Sequence, residues 1–342
     1  MPLKRRFLCY MQRTLYLSGI ASLYGSLSRG DGSAAILMYH SVVDESLEGF
    51  VDPDNSVKVE QFRKQMAYLK KRCNVISLEA LLHAIENKTP LPKRTVVLTF
   101  DDGYRDNLTH AAPILKEYDL PATIFVCTGY IERQESQWID DVYSIFSFRT
   151  RHQLNLSGET FDLTTKDGMD SGYNLAKKLL MDSDYAGRSA LFEALGEQLE
   201  PDIPNRPRLT LNWDEVRRLR SLYPLIEVGL HTRDHTNLTG LDKANAEAEL
   251  LQCQKDFEAS TGSRARFLSY PYGLHNMDVQ RVSKNCGLKA ALAVYPVDLV
   301  THHSNPWALP RVTAMPSLID LKVWMSGAFP ALSIKLFGRA YG

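Results

Sequence analysis

The sequence predicts an α/β fold built on a parallel sheet, with chemistry-bearing residues collected at the carboxyl ends of its strands. Three observations lead there. Apolar or β-branched runs at 35–40, 95–100, 122–126, 225–230, 267–270 and 290–294 alternate with segments whose apolar residues recur at helical spacing. Strand, helix and strand at that spacing form βαβ units, whose strands lie parallel. The first, second and fourth runs end in or just before His40, Asp101-Asp102 and His231. Strand ends of this kind are where α/β folds place ligands and reacting groups.

Composition sets the outer limits. With 342 residues, 44% hydrophobic and 23% charged, the chain is globular and long enough for one large α/β domain or two small ones. A formal net charge of zero gives no global field that favours nucleic acid. Five scattered cysteines without a C-x-x-C predict reduced thiols rather than a disulfide framework or a zinc knuckle. No apolar run reaches the roughly 18 residues of a membrane span.

The elements follow in order. Residues 1–30 carry Lys4, Arg5, Arg6, Arg13 and Arg29 and no acid, with Phe7, Leu8, Tyr10, Leu15, Leu17 and Leu23 between them. They read as a basic amphipathic helix, lying on a membrane surface or packed on the domain. A cleaved signal peptide is the alternative, although Gln12-Arg13-Thr14 interrupts its apolar run. After strand 35–40, Val59, Phe62, Met66 and Leu69 mark a helix over 59–72, and Ser77 caps a second one running to Asn87. Strand 95–100 leads to helix 107–118 and, after Pro121, to strand 122–126.

Residues 129–208 break the rhythm. Segment 138–148 reads as a helix, 152–163 alternates about Ser157-Gly158 as a hairpin, and 174–198 reads as a helix again. Pro201, Pro204 and Pro207 close this α+β insert. A connection of such length shapes a substrate site or a partner surface. The alternation then resumes. Asn212, with Glu215 three residues on, caps a helix to Tyr223, and Asp242 caps another to Thr261. Strand 267–270 ends in Pro271-Tyr272-Gly273, and helix 277–286 leads to the strand at 290–294. The last residues repeat the pattern of the first, with Lys322, Lys335 and Arg339 among Val323, Trp324, Met325, Phe329 and Leu336. Two basic, apolar ends on a neutral chain predict either contact with an anionic membrane face or simple caps on the fold.

Two adjacent carboxylates at a strand end, Asp101 and Asp102, repel unless a cation stands between them or one is protonated. They read either as a solvated Asp-Gly turn or as a metal ligand beside an acid/base group. His231-Thr232-Arg233-Asp234-His235 favours the second reading. If that loop turns helical, residues four apart share a face and both imidazoles reach one ion. Two histidines plus a carboxylate are a common set for a catalytic divalent metal with positions left open to water and substrate.

With T-F-D-D-G-Y at 99–104, H-T-R-D-H at 231–235, Y-P-Y-G at 270–273 and L-P-R-V at 309–312 in this order, the chain resembles the polysaccharide deacetylase family. These are the NodB-homology or carbohydrate esterase family 4 proteins, and Met38-Tyr39-His40-Ser41 resembles the branch that acts on exopolysaccharides and surface glycans. The resemblance covers residues 34–315, with the insert 129–208 inside it and basic segments 1–33 and 316–342 outside. It implies a deformed (β/α)7 barrel and a hydrolase that removes N-acetyl groups from an amino sugar. It implies Asp102, His231 and His235 as ligands of one divalent ion. Zinc is the first expectation, with cobalt, nickel, manganese or iron as alternatives. Asp101 would be the general base acting on water at that ion. By the same resemblance Arg311 pairs with Asp101 and holds it ionised, and the backbone N–H of Tyr272 helps to hold the oxyanion. Thr232 and Asp234 are expected to orient the ligands.

Two departures from the family pattern matter. Ser269 stands where many members carry an arginine, a charge that Arg311 can supply. No histidine follows His303, so the family's late general-acid histidine has no counterpart; His40 is either a candidate for the pocket or a buried structural histidine. The rival of a different class is a relative that binds metal and sugar without catalysis. A sugar deformylase or O-acetyl esterase is a further alternative, since the same chemistry attacks any small acyl group. The expected partners are an N-acetylated glycan, free or lipid-linked, and a membrane surface met by the termini, and not nucleic acid. Asn107-Leu108-Thr109 and Asn237-Leu238-Thr239 are glycosylation sequons beside the two metal motifs, where a glycan would obstruct the site. That points to a bacterial, cytoplasmic setting, peripheral on the inner membrane face, with export through an N-terminal signal as the alternative.

Overall fold

In the computed structural model, which describes residues 14, 17–19, 32–294, 299–314 and 316–326, six parallel strands lie side by side. They are β1 (Ser33–Tyr39), β2 (Thr95–Phe100), β3 (Ala122–Val126), β4 (Ile226–Leu230), β5 (Phe267–Ser269) and β6 (Ala290–Leu292). Their spatial order is β6-β5-β4-β3-β2-β1. The longest registers run from Ala34↔Thr95 to Tyr39↔Phe100 and from Ala122↔Ile226 to Val126↔Leu230. A seventh strand, β7 (Val312–Thr313), pairs parallel with Leu37 and Met38 of β1. Just before it, Leu309 bridges to Leu292, its N–H donating to the Ala291 carbonyl at 3.0 Å while its own carbonyl accepts from Ala293 N–H at 2.8 Å. Segment 309–313 therefore closes the curled sheet into a ring, the deformed (β/α)7 barrel expected from the sequence.

Alternation along the strands sorts side chains into two layers. Ile36, Val97, Phe125, Phe267, Leu292 and Leu309 form the inner cluster, joined by Leu78, Leu81, Leu82 and Ile85 of helix α2 (Leu78–Glu86). Their neighbours Leu37, Leu98, Ile124, Val228 and Leu268 face outward into a larger core shared with the surrounding helices. Those helices include α1 (Val59–Arg72), α3 (Ala112–Glu117), α8 (Trp213–Leu222), α9 (Lys243–Thr261) and α10 (Met277–Asn285). Gly229 lies in the inner phase of β4, and a Cβ there would sit 2.7 Å from the Phe125 ring, so glycine is what lets that ring fill the barrel. Continuing the same phase by one residue past β1, β2 and β4 brings His40, Asp101 and His231 to the mouth, and Arg311, two residues after Leu309, joins them from the closing segment.

The insert is a subdomain with its own core. Short helix α4 (Thr128–Arg133) leads into α5 (Trp138–Ser147), the hairpin Gln153–Leu156 and Glu159–Asp162, α6 (Lys166–Asp182) and α7 (Tyr185–Leu199). Trp138, Val142, Phe146, Leu154, Phe161, Leu180, Leu195 and Leu199 pack together. The hairpin turns through Ser157 and Gly158, both at positive φ, as its sequence predicts.

Several expectations are corrected. The single helix over 174–198 is two helices, parted at Ser183, where Asp184 accepts from Gly187 N–H at 2.8 Å and caps α7. The helix expected from Asn107 begins with a wide π turn, Asn107–Ala111, just before Pro113, which lacks the N–H an α turn would use. Part of the supposed amphipathic tail is α11 (Leu318–Met325), whose Leu321, Val323, Trp324 and Met325 lie in the main core. Those apolar groups cap the fold and are not offered to a membrane; the rest of the tail from 327, and nearly all of residues 1–31, lie outside the described residues. Cys73, Cys127, Cys253 and Cys286 are free thiols. Among the described residues no helix is long and apolar enough to cross a membrane.

Candidate active site

The centre of the mouth is an ion pair that joins residues 210 apart in sequence. Arg311, delivered by the ring-closing segment, donates from Nη1 to Asp101 Oδ1 at 2.8 Å and from Nη2 to Asp101 Oδ2 at 2.7 Å. Ser269, at the end of β5, donates its hydroxyl to Asp101 Oδ2 at 3.0 Å and accepts from Arg311 Nη2 at 2.8 Å. Arg311 is thus the charge that stands beside Ser269. Burial by itself would raise the Asp101 pKa, but the charge and hydrogen bonds of the Arg311 guanidinium outweigh it and hold the carboxyl well below the usual carboxylate range.

Asp102 turns the other way, because its backbone is left-handed at φ 72. Its Oδ1 is buried without a hydrogen-bond partner and lies 3.5 Å from His231 Nε2 and 3.6 Å from His235 Nε2. Burial, then the charges of Asp101 and Asp140, push its pKa well above the ordinary value. His231 Nδ1 lies 2.8 Å from the Ser269 carbonyl; donation there fixes the tautomer and leaves the Nε2 lone pair facing Asp102. Burial lowers the pKa of both imidazoles, so both are neutral and ready to coordinate. The ligand atoms of Asp102, His231 and His235 all lie within 4.8 Å of one another. The 3.5 and 3.6 Å separations are close to the roughly 3.3 Å between two donors on one tetrahedral ion. An orphaned carboxylate oxygen facing two neutral imidazoles is a donor set that fits a divalent cation.

The two histidines do not meet by sharing a helical face. Residues 231–236 are irregular, and Thr232 (φ 61) and His235 (φ 52) are both left-handed. These bends bring the rings to 4.8 Å between centroids at 80°. Nor do Thr232 and Asp234 orient the ligands directly. Thr232 Oγ1 accepts from Thr236 N–H at 2.8 Å and shapes the loop, while the Asp234 carboxylate pairs with Arg133 and Arg233. Tyr272, at φ 58 in the Pro271–Gly273 turn, sets its ring edge-on to His235 with centroids 4.6 Å apart. Gly273 at φ 68 allows that turn, since a Cβ there would lie 2.4 Å from Val294 N. Asp102, Thr232, His235 and Tyr272 are thus four strained non-glycine residues at one mouth, and strain of this kind gathers at functional sites.

A cleft of about 520 Å³ opens over this floor, a volume suited to a small ligand. His40 lines it beside Asp101, Asp102, His231, His235 and Arg311. Burial lowers the His40 pKa to about 4, with the Asp101 charge acting against the shift. The insert supplies one wall through Gln137, Trp138, Ile139, Lys177, Lys178 and Met181. It is tied to the barrel by Gln137 Nε2, which donates to the Asp102 carbonyl at 3.0 Å, and by Asp140, which accepts from Tyr104 Oη at 2.7 Å and Asp52 N–H at 3.0 Å.

Residues 88–291 match the sequence model of the family described as polysaccharide deacetylase. The chain belongs to the polysaccharide deacetylase family. Its expected enzyme class, a hydrolase that removes acyl groups from carbohydrate, is that of the family. Among named relatives, the poly-beta-1,6-N-acetyl-D-glucosamine N-deacetylase of Staphylococcus aureus is 23% identical over 292 residues, 82% of this chain and 79% of the relative. Among solved structures, the Streptococcus pyogenes deacetylase PplD in complex with acetate superposes with a TM-score of 0.58 at 18% identity, covering 86% of this chain and 99% of its own. IcaB from Ammonifex degensii does so with a TM-score of 0.57 at 16% identity, covering 87% and 98%. These structures share the fold of this polysaccharide deacetylase.

The strand-end residues of the cleft were legible from motifs, but Asp52, Asp54 and Asn55 of the loop after β1 and the residues of the insert were not. Trp138 gives a weak signal as an aromatic opening the first long helix of the insert. Asp140 of α5 and Arg188 of α7, buried charges that lie behind the cleft wall, give none, because buried charges on a helix look in sequence like a solvated face. The sequon at Asn107 is closed by the fold: its side chain is buried and donates to the His40 carbonyl at 2.8 Å.

Proposed function

We propose that this polysaccharide deacetylase is a divalent-metal-dependent de-N-acetylase of an amino sugar in a surface glycan, polymeric or lipid-linked, with Asp101 as its general base. The observation that carries the reading is the convergence of Asp102, His231 and His235 on one point, next to a carboxylate held ionised by Arg311. A divalent ion bound by those three residues, zinc first among the alternatives, supplies Lewis acidity that polarises an acyl oxygen and acidifies water.

The chain's own residues supply the rest. Arg311 and Ser269 fix the plane of the Asp101 carboxylate, which accepts a proton from water at the cleft floor and, as a weak base, gives it up readily. The Tyr272 amide, presented by its strained turn, is the backbone donor assigned to the developing oxyanion. His40, neutral at pH 7 because burial lowers its pKa to about 4, is assigned to relay to the leaving amine the proton that Asp101 takes from water. Trp138 offers an aromatic wall to a sugar ring. The name of the Staphylococcus relative supports N-acetylglucosamine as the sugar. The basic, apolar stretch of residues 1–30 supports a setting on the inner face of a bacterial membrane.

The test is acyl release read by NMR from free and lipid-linked N-acetylhexosamine oligosaccharides, comparing zinc-loaded protein with its Asp101→Asn variant. Acetate from the wild type and a loss of at least about 100-fold in the variant is the expected result. Zinc binding by both with no acetate or formate from either would replace this reading with that of a non-catalytic binding protein.

A further inference from the structure

One guanidinium of the insert reaches the loops that carry His235 and Tyr272. Arg188, on α7, is 5% exposed. Its hydrogen-bond partners among the described residues are all neutral. Nε donates to the Leu180 carbonyl at 3.0 Å, Nη1 to the Asp234 carbonyl at 3.1 Å and to Tyr130 Oη at 3.5 Å, and Nη2 to Tyr272 Oη at 3.1 Å. Its guanidinium carbon lies over the Trp138 ring, 5.5 Å from the centroid. Among the described residues no carboxylate forms an ion pair with it. A buried cation satisfied by carbonyls, hydroxyls and a π face costs more than a neutral side chain would, and needs a reason to be there.

The two bonds at its Nη atoms suggest the reason. Asp234 directly precedes His235, and Tyr272 carries the amide assigned to the oxyanion. Both His235 and Tyr272 sit in left-handed backbone, at φ 52 and 58, which neighbouring structure must hold in place. The Asp234 side chain cannot do so, since it is engaged by Arg133 and Arg233. Only a planar fork with several donors reaches the α6 end, the His235 loop and the Tyr272 turn together; a lysine cannot.

We propose that Arg188 is a positioning residue: it fixes the His235 loop against the Tyr272 turn, so that the insert completes both the metal site and the acyl pocket. This rests on the metal-dependent deacetylase reading given above. The experiment measures zinc affinity of the metal-free protein by competition with a chromophoric chelator, and kcat and KM for acetate release, in wild type, Arg188→Lys and Tyr272→Phe. In Arg188→Lys zinc affinity falls about 10- to 100-fold, kcat falls to a similar degree and KM changes less. Tyr272→Phe, which removes one of the Arg188 bonds, lowers kcat with a smaller change in zinc affinity. Zinc affinity and kcat both within about twofold of wild type in Arg188→Lys, with only a lowered melting temperature, would reduce Arg188 to a brace for the insert and overturn the proposal alone. Should that variant not fold, unchanged kcat and zinc affinity in Tyr272→Phe overturn it. A wild type that binds no zinc overturns this proposal together with the reading beneath it.

Discussion

Replacing Arg311 by methionine removes a guanidinium that is 0% exposed from a carboxylate that is 2% exposed. No solvent reaches either partner, so screening offers little relief. Breaking a buried pair from one side costs about 3–5 kcal/mol, because the surviving charge is left without compensation. The bonds from Arg311 to Ser269 Oγ and to the Ala293 carbonyl are lost as well, at about 1 kcal/mol each. The assay is urea unfolding of metal-free wild type, Arg311→Met, Asp101→Asn and the double variant. Each single variant loses several kcal/mol, and the double loses less than their sum by about 3 kcal/mol, since no charge is then stranded. The difference between wild type and Arg311→Met also depends on pH. In the wild type the Asp101 pKa is depressed, so its contribution is present above the unfolded value of about 3.9 and lost as pH falls below it. In the variant the guanidinium no longer offsets burial and that pKa rises, so stability is lost as pH rises through it. The gap therefore widens as pH climbs from about 4 towards neutrality. Costs that add within about 0.5 kcal/mol, with a gap that ignores pH, would refute the idea that this pair holds the site together.

Three further perturbations follow from the same geometry. His235→Ala should weaken zinc binding by at least about 100-fold in chelator competition; an unchanged affinity would remove His235 from the ligand set. Burial raises the Asp140 pKa to about 7, so this carboxyl favours folding at low pH and that contribution is lost as pH rises towards 7. Melting temperatures of Asp140→Asn across that range should lack this part of the wild-type decline, and parallel curves would show that Asp140 does not titrate in the fold. Gly229→Ala places a Cβ against Phe125 and should cost about 1–3 kcal/mol in urea unfolding; a neutral effect would mean the inner barrel layer is not close-packed there.

Much of this architecture is written locally. The strands at 95–100 and 122–126 and the helix at 59–72 have the bounds their apolar spacing predicts, because a period of 2 or 3.6 is a property of a few consecutive residues. The same is true of the caps: Asn212 and Glu215 exchange both bonds of a capping box, as their three-residue spacing requires. The chain could also announce that Asp101, Asp102 and His231 end strands, since each follows an apolar run. Short strands such as Val312–Thr313 left no pattern, being two residues long. The sequence of helix Leu318–Met325 leaves open whether it caps the fold or faces a membrane, because its buried face and a membrane-facing one have the same composition.

Sequence by itself therefore determined which residues stand at strand ends and what chemistry they carry. Tertiary structure decided which of those ends face one another. Closing the ring with segment 309–313 put Arg311 on Asp101, two left-handed residues turned the histidine pair onto one point, and the folded insert brought Trp138 to the mouth and Arg188 onto Tyr272. Local patterns record what each residue needs from its immediate neighbours. Contacts across 210 residues and reversals of backbone hand depend on the packed whole, and so leave no period to read.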